Sequence, residues 1–473
     1  MLDSTSSPHF DPGSFRDPDT RVFRHDGAIF RCLTSRALTD WNRLASSEVY
    51  RRLTDDGALV ATERVEDLSA LPRLDGKWAG VLKHETVPVI SYPYEWPFEM
   101  LKDAALLQLD VTLAALDDGM TLKDATPYNI QWFGTSPRFI DLGSFTQYEP
   151  GEPWAGYRQF CQQFLYPLLL QAYKDVPFHP WLRGSLEGIQ AEHCRAMLSA
   201  RDYLRPGVLT HVYLQAKAQS RYEDSNRDVR QDLRSAGFGA AMIKNNIERL
   251  RRLVERLEWK PERSTWSEYT KEHSYEDDDL RRKSNFVRRV LAPRRWSLVW
   301  DIGCNTGTYS RLAAEHAEYV LALDADHLAV DRMYGALKRE GNDTILPLLA
   351  DVADPSPGLG WRGLERNPLG DRGAPDLILC LALIHHVVIG RNIPIAEFVA
   401  WLAGFGADVV VEFVGHGDPM VDKLLRNRSG QDIDYSAEAL ELALARHFKT
   451  TAHEALGSGT RTLYHAQSPH RRN

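Results

Sequence analysis

At 473 residues, 43% hydrophobic and 26% charged, the chain has ordinary globular proportions. These exclude a wholly disordered, collagenous or fibrous protein. The length corresponds to about three domains at ~150 residues each, and it suffices to bury several cores without disulfide staples. A net charge of −8 argues against a general nucleic-acid clamp, which needs a basic excess to neutralise phosphates.

The first segment, Met1 to Arg21, is rich in Ser, Pro and Asp and has no apolar h-region. It reads as a flexible tail rather than a signal peptide. Cys32, Cys161, Cys194, Cys304 and Cys380 are scattered and include no C-x-x-C pair. That disfavours a disulfide framework or a zinc knuckle and fits a reducing, cytoplasmic setting. The longest apolar runs, around Phe164–Leu170 and Leu377–Ile384, fall far short of the ~20 residues of a membrane span.

Residues 22–215 mix short strand-like runs with helices, including a helix from Phe98 to Leu116. After that helix come Asp124 and Asn129 in a D-x-x-x-x-N spacing, then Asp141-Leu142-Gly143. This arrangement resembles the catalytic and metal loops of the protein-kinase-like fold, small-molecule phosphotransferases included. The resemblance implies an α+β module in which Asp124 orients an acceptor hydroxyl while Asn129 and Asp141 hold magnesium for ATP. The sequence departs from that pattern in three ways. Lys123 precedes Asp124, Leu122 stands where a histidine is expected, and no glycine-rich loop precedes; Lys83 is the one strand lysine suited to a phosphate. The other reading is a kinase-derived scaffold without phosphotransfer, in which Asp124 and Asn129 are turn and capping residues.

Residues 216–264 are highly charged. Ile243, Ile247, Leu250, Val254 and Leu257 recur there at helical spacing, as in a connecting helix with one packed face. The acidic run Glu276–Asp279 before Arg281, Arg282 and Lys283 reads as a solvated helix start. From residue 265 onward apolar runs alternate with helices. Leu298–Trp300, Val320–Leu323, Ile345–Leu349, Leu377–Leu381 and Val409–Phe413 read as parallel strands covered on both faces. Ala437–His447 reads as a helix, and Thr450–Leu456 with Thr462–Ala466 as a terminal hairpin giving the sheet an antiparallel edge.

The chemistry gathers at the carboxyl ends of these strands, where open α/β sheets bind ligands. Asp301-Ile302-Gly303-Cys304-Asn305-Thr306-Gly307 is a carboxylate followed by a tight loop. Its glycines permit close backbone approach, and Asn305 tolerates positive φ. A third glycine at the dinucleotide spacing is absent, which counts against NAD and FAD. Asp324 ends the second strand, where it can accept hydrogen bonds from ribose hydroxyls, and Asp351 follows the third. His385 and His386 follow the fourth, in Ala382-Leu383-Ile384-His385-His386.

These four signals, in this order, resemble the class I S-adenosylmethionine-dependent methyltransferases over roughly residues 265–467. The resemblance implies a seven-stranded Rossmann-like sheet. It implies that Asp301, Gly303, Asn305 and Gly307 hold the methionine part of the cofactor, Asp324 the ribose and Asp351 the adenine. His385 or His386 would serve as a base if the acceptor must lose a proton, with Glu412 as a further candidate. The long Pro355–Pro375 segment is a candidate lid or acceptor wall, the other reading being a solvated insertion. Lys283 and Tyr275 are placed to cover the cofactor or to form plain helix surface.

Ser91–Trp96, Leu122–Asn129 and Tyr157–Cys161 extend the likeness to bacterial two-part methyltransferases of the nodulation type. The whole then reads as a methyltransferase acting on a small molecule or glycan, with the kinase-like module helping to bind the acceptor and no nucleic-acid partner. A bifunctional kinase/methyltransferase and a non-catalytic S-adenosylmethionine-binding protein are the alternatives.

Overall fold

The computed structural model describes residues 10–217, 239–261, 277–426 and 434–469. In the N-terminal module, β1 (Thr20–His25) and β2 (Ala28–Leu33) form a hairpin. Its turn is Asp26-Gly27, both residues at positive φ, as a two-residue turn of this twist requires. After α1 (Ser35–Ala45) and α2 (Glu48–Asp55), β3 (Thr62–Arg64) and β4 (Gly80–His84) complete an antiparallel sheet of order β1-β2-β4-β3. Residues 10–21 are no free tail. The Asp11 N–H donates to the Val22 carbonyl, and Arg16 pairs with Glu365 across the molecule.

The helix α3 (Phe98–Asp117) is apolar around most of its circumference and accordingly buried. Around it stand the short pair β5 (Met120–Leu122) and β8 (Phe145–Gln147) and the hairpin β6 (Ile130–Phe133) with β7 (Ser136–Phe139). Helices α4 (Tyr157–Phe160), α5 (Tyr166–Lys174), α6 (His179–Gly184) and α7 (Ala191–Met197) follow. In α8 (Ala240–Glu255), Ile243, Ile247, Leu250 and Val254 are buried. Lys244 and Arg251 bind Asp117 and Asp110 of α3, so this helix lies along α3.

The remaining helices are α9 (Asp277–Leu291), α10 (Thr308–Ala314), α11 (His327–Arg339), α12 (Ile395–Ala403), α13 (Pro419–Arg426) and α14 (Ala437–His447). They accompany a seven-stranded sheet. Its strands are β9 (Trp296–Ile302), β10 (Ala317–Asp324), β11 (Ile345–Leu349), β12 (Leu377–Cys380), β13 (Asp408–Val414), β14 (Lys449–Ala455) and β15 (Arg461–Gln467). The order is β11-β10-β9-β12-β13-β15-β14, and β9 to β13 run parallel. The five expected parallel strands are present. The expected terminal hairpin is present and gives the sheet its antiparallel edge; its second strand β15 pairs with β13, and β14 lies outermost.

Alternation along the parallel strands divides the core in two. Val299, Val320, Leu379 and Val410 face a core closed by Phe286, Val287 and Leu291 of α9. Trp300, Leu321, Ile378 and Val409 face a core that continues without a break into Trp96, Trp132 and Leu101 of the N-terminal module. At this junction Gly134, at positive φ in the β6–β7 turn, lies so close to Asp343 that a Cβ would sit 2.4 Å from its backbone. The Gly134 N–H donates to the Tyr319 hydroxyl at 2.9 Å, and Tyr334 of α11 donates to Asp103 of α3 at 2.6 Å.

The segment between β11 and β12 is broken by prolines and glycines, holding only the short 3₁₀ turns Trp361–Gly363 and Leu369–Asp371. It docks on the N-terminal module. Arg372 binds both carboxylate oxygens of Glu95, with each side chain 1% exposed, and its Nη1 also donates to the Ile90 carbonyl. The Asn367 N–H donates to the Tyr92 hydroxyl, and Arg366 lies 4.1 Å over the Tyr128 ring. Removing one partner of a buried ion pair strands the other charge, at a cost of about 3–5 kcal/mol. Glu95→Gln should therefore lower the unfolding free energy in denaturant titration by about that amount. A loss below about 1 kcal/mol, the range of exposed pairs, would show that water reaches this pair.

Candidate cofactor and acceptor site

Beyond β9 the chain turns through three left-handed residues, Gly303 at φ 77°, Asn305 at 50° and Gly307 at 83°, and enters α10. Asn305 thus adopts the conformation expected of it. The N–H groups of Gly303 and Cys304 both donate to the Leu323 carbonyl, drawing the loop onto the end of β10. The Asn305 N–H then donates to Asp324 Oδ2 at 2.8 Å, and the Asp326 N–H to Asp324 Oδ1 at 2.9 Å. The loop and the second-strand carboxylate thus face each other. Each Asp324 oxygen keeps acceptor capacity after one such bond.

Asp301 is 2% exposed and accepts a hydrogen bond from the Ser310 hydroxyl at 2.5 Å. Burial pushes its carboxyl up to about 6, against the Ser310 bond and the nearby Lys283 charge. Burial raises the Asp324 carboxyl too, opposed by its backbone donors. Asp351 follows β11, with Oδ1 accepting the Ala353 N–H at 3.0 Å and Oδ2 paired with Arg391.

Beyond β12, Ala382 takes φ 53°, a strained conformation for a residue with a Cβ, and leads into the histidines. His385 is 1% exposed, its Nδ1 has no hydrogen-bond partner, and its ring lies 4.0 Å from that of His386. Burial holds His385 well below the usual imidazole range and lowers His386 to about 4, so both are neutral near pH 7. Glu412 is fully buried between two cations, Lys283 Nζ at 2.6 Å and Arg461 Nη1 at 3.0 Å. Arg461 Nη2 also binds Asp418 at 2.7 Å. A carboxylate held this way is a poor proton acceptor, so Glu412 suits an electrostatic role beside the histidines. Lys283 is buried and 4.8 Å from the Tyr309 ring centroid, and Asp279 accepts from the N–H groups of Gly457 and Ser458. This helix start is therefore partly buried rather than solvated. Tyr275 lies outside the described residues.

In the N-terminal module, the Asn129 carbonyl accepts the Ile140 N–H, and the Lys123 N–H donates to the Ser144 carbonyl. These bonds hold the segments carrying Asp124, Asn129 and Asp141 next to one another. Burial raises the Asp124 carboxyl, with the Asp141 charge adding to the shift. Asp141 is bound by Arg31 of β2 at 2.8 Å. Lys83 is not there. It points outward on β4 to Glu63, because strand alternation sends Arg31 and Lys83 to opposite sides of the sheet. Among the described residues no group of three or more His, Cys, Asp or Glu side chains is placed to hold a metal, and no helix is long and apolar enough to cross a membrane.

No family model matches the chain. Over 455 residues it is 35% identical to nodulation protein NoeA of Rhizobium meliloti (strain 1021), covering 96% of this chain and 94% of that protein. The chain belongs to the NoeA family of nodulation proteins. Among solved structures it is similar to the N-methyltransferase NodS of Bradyrhizobium japonicum WM9, at 15% identity and TM-score 0.31 over 41% of this chain and 98% of that one. It is also similar to magnesium protoporphyrin IX methyltransferase of Synechocystis PCC 6803, at 17% identity and TM-score 0.29 over 43% and 93%.

Sequence reasoning found the strand-end residues and missed their partners. Arg31, Asp418 and Arg461 are single charges in unremarkable local contexts, and only the tertiary fold shows what they face. An arginine opening the otherwise inward-facing strand Arg461–Gln467 was the one available signal.

The Asp301 shift has a consequence with a definite sign. A carboxyl raised above its unfolded value contributes stability below about pH 3.8 and loses it as pH rises through about 6. At pH 7, Asp301→Asn should therefore raise the unfolding free energy by about 1–3 kcal/mol while keeping the Ser310 bond. At pH 4 the gain should vanish. Equal effects at both pH values would show that Asp301 does not titrate in this window.

Proposed function

We propose that the chain is an S-adenosylmethionine-dependent methyltransferase acting on a small molecule or glycan group. The observation that carries this reading is the bond between the Asn305 N–H and Asp324, which sets a left-handed loop against a carboxylate at the tips of adjacent parallel strands. The donor set suits the cofactor. Asp324 has acceptor capacity for ribose hydroxyls, and Asp301 supplies a carboxylate near the cationic methionine end. The buried His327 Nδ1, just beyond Asp324, has no partner. Asp351 is assigned to the adenine amine, sharing its carboxylate with Arg391.

The bound cofactor would supply a methyl group already activated on sulfur, so the protein's task is mostly positioning. The loop and Asp324 fix the nucleoside. His385, neutral and with Nδ1 unbonded, is positioned to accept a hydrogen bond from the acceptor group, and the burial that lowers its pKa makes it a weak base. Lys283, Glu412, Arg461 and Asp418 keep the acceptor end electrically balanced and dry, with two charges of each sign.

The N-terminal module is read as a kinase-like scaffold that shapes the acceptor side. Its antiparallel sheet, the helix α3 and the proximity of the Asp124, Asn129 and Asp141 segments support that reading. Its charge arrangement weighs against magnesium and ATP, because the Arg31 guanidinium already neutralises Asp141, the carboxylate such a metal would need.

Asp324→Ala removes charge-assisted hydrogen bonds to ribose, each worth roughly 1.5–3 kcal/mol. Calorimetric affinity for S-adenosylhomocysteine should fall about tenfold or more per bond. Unchanged affinity would refute the ribose assignment. At saturating cofactor, His385→Ala should slow methyl transfer with little change in cofactor affinity. Full turnover in both His385→Ala and His386→Ala would exclude a histidine base.

A further inference from the structure

The α6 helix of the N-terminal module touches the chain just beyond two neighbouring strands of the parallel sheet. His179 packs against His327, three residues past the end of β10, with ring centroids 4.4 Å apart and planes at 80°. One turn along, Arg183 forms a fork on Asp354, five residues past the end of β11, with both bonds at 2.9 Å. It also donates to the Pro355 carbonyl at 3.2 Å. The helix therefore straddles the two strand ends that carry Asp324 and Asp351.

Its placement is fixed from behind. His179 is 8% exposed, its Nε2 is 2.8 Å from the Trp96 carbonyl, and its ring stacks on Phe178 at 4.1 Å. Nδ1 of His179 and Nδ1 of His327 are both buried without a partner, although buried polar atoms are ordinarily satisfied. Burial holds both imidazoles below their usual range, so neither carries charge near neutrality.

We propose that α6 forms one wall of the nucleoside end of the cofactor site, making that site a joint product of the two modules. His179 and Arg183 are positioning residues in this arrangement. His179 holds the His327 ring beside the ribose carboxylate, and Arg183 pins the turn Asp351–Pro355 that faces the adenine. The ligand class at this wall is an adenine nucleoside. The inference rests on the methyltransferase reading and extends it, since it gives the N-terminal module a share in binding cofactor as well as acceptor.

The test uses the full-length protein, with S-adenosylhomocysteine and adenosine as calorimetric probes and thermal unfolding measured in parallel. Arg183→Ala removes an exposed pair, so the fold should survive with an unchanged melting temperature. Its affinity for both probes should fall by about fivefold, within the range of residues that act through a neighbour. Arg183→Lys should recover part of the loss. His179→Asn should weaken both probes by a similar factor, and should His179→Asn fail to fold, the Arg183 pair of variants decides. An equal fold-loss for adenosine and for the whole nucleoside would place the effect at the nucleoside end, which a general loss of stability would not do. Wild-type affinity for both probes in folded Arg183→Ala would overturn the proposal. Failure of the unsubstituted protein to bind either probe would instead overturn the methyltransferase reading beneath it.

Discussion

One hydrogen bond, from a backbone N–H to a carboxylate, sets the geometry of the candidate cofactor site. The Asn305 N–H reaches Asp324 because residue 305 takes a left-handed φ of 50° between two glycines that do the same. Three successive excursions into that region turn the chain from β9 into α10 without lifting it off β10. The two N–H groups bonded to the Leu323 carbonyl hold the turn in place. Parallel strands make this arrangement available, since adjacent carboxyl ends lie side by side and their loops must share the space above the sheet.

The second constraint is the shared core. Side chains of the parallel strands alternate between two faces, and the core on one face, covered by α12 and α14, continues without a break into the N-terminal module. Trp132, Trp96 and Tyr334 interlock there, with ring centroids 5.6 and 5.7 Å apart. Gly134 allows backbone contact, and the Glu95–Arg372 pair closes the far side. The Pro- and Gly-rich segment that reads as a lid or acceptor wall in sequence is spent largely on this junction. The N-terminal module is thus a structural half of the folded unit as well as the candidate acceptor side.

The parallel strands were legible because strands covered on both faces are continuous apolar runs, and the strand-end carboxylates were legible because they interrupt those runs. Helix α8 was legible from spacing. What local pattern could not carry was partnership. The buried Lys283 looked like solvated helix surface because its partner Glu412 comes from a distant strand. Lys83 looked like the phosphate lysine because a period of two says which residues share a face, not which face turns inward. The terminal hairpin was legible as an antiparallel edge, and the order of its two strands, β15 against β13 and β14 outermost, was not.

The claim at the centre of this account is that the tips of β9, β10 and β11 grip an adenosyl group between the two modules. Amide hydrogen exchange of the full-length protein, with and without saturating S-adenosylhomocysteine, tests it directly. The account predicts slowed exchange at Gly303–Gly307, at Asp324–His327 and in the helix His179–Gly184 together. Exchange unchanged at all three segments, or protection confined to residues 124–141, would contradict it.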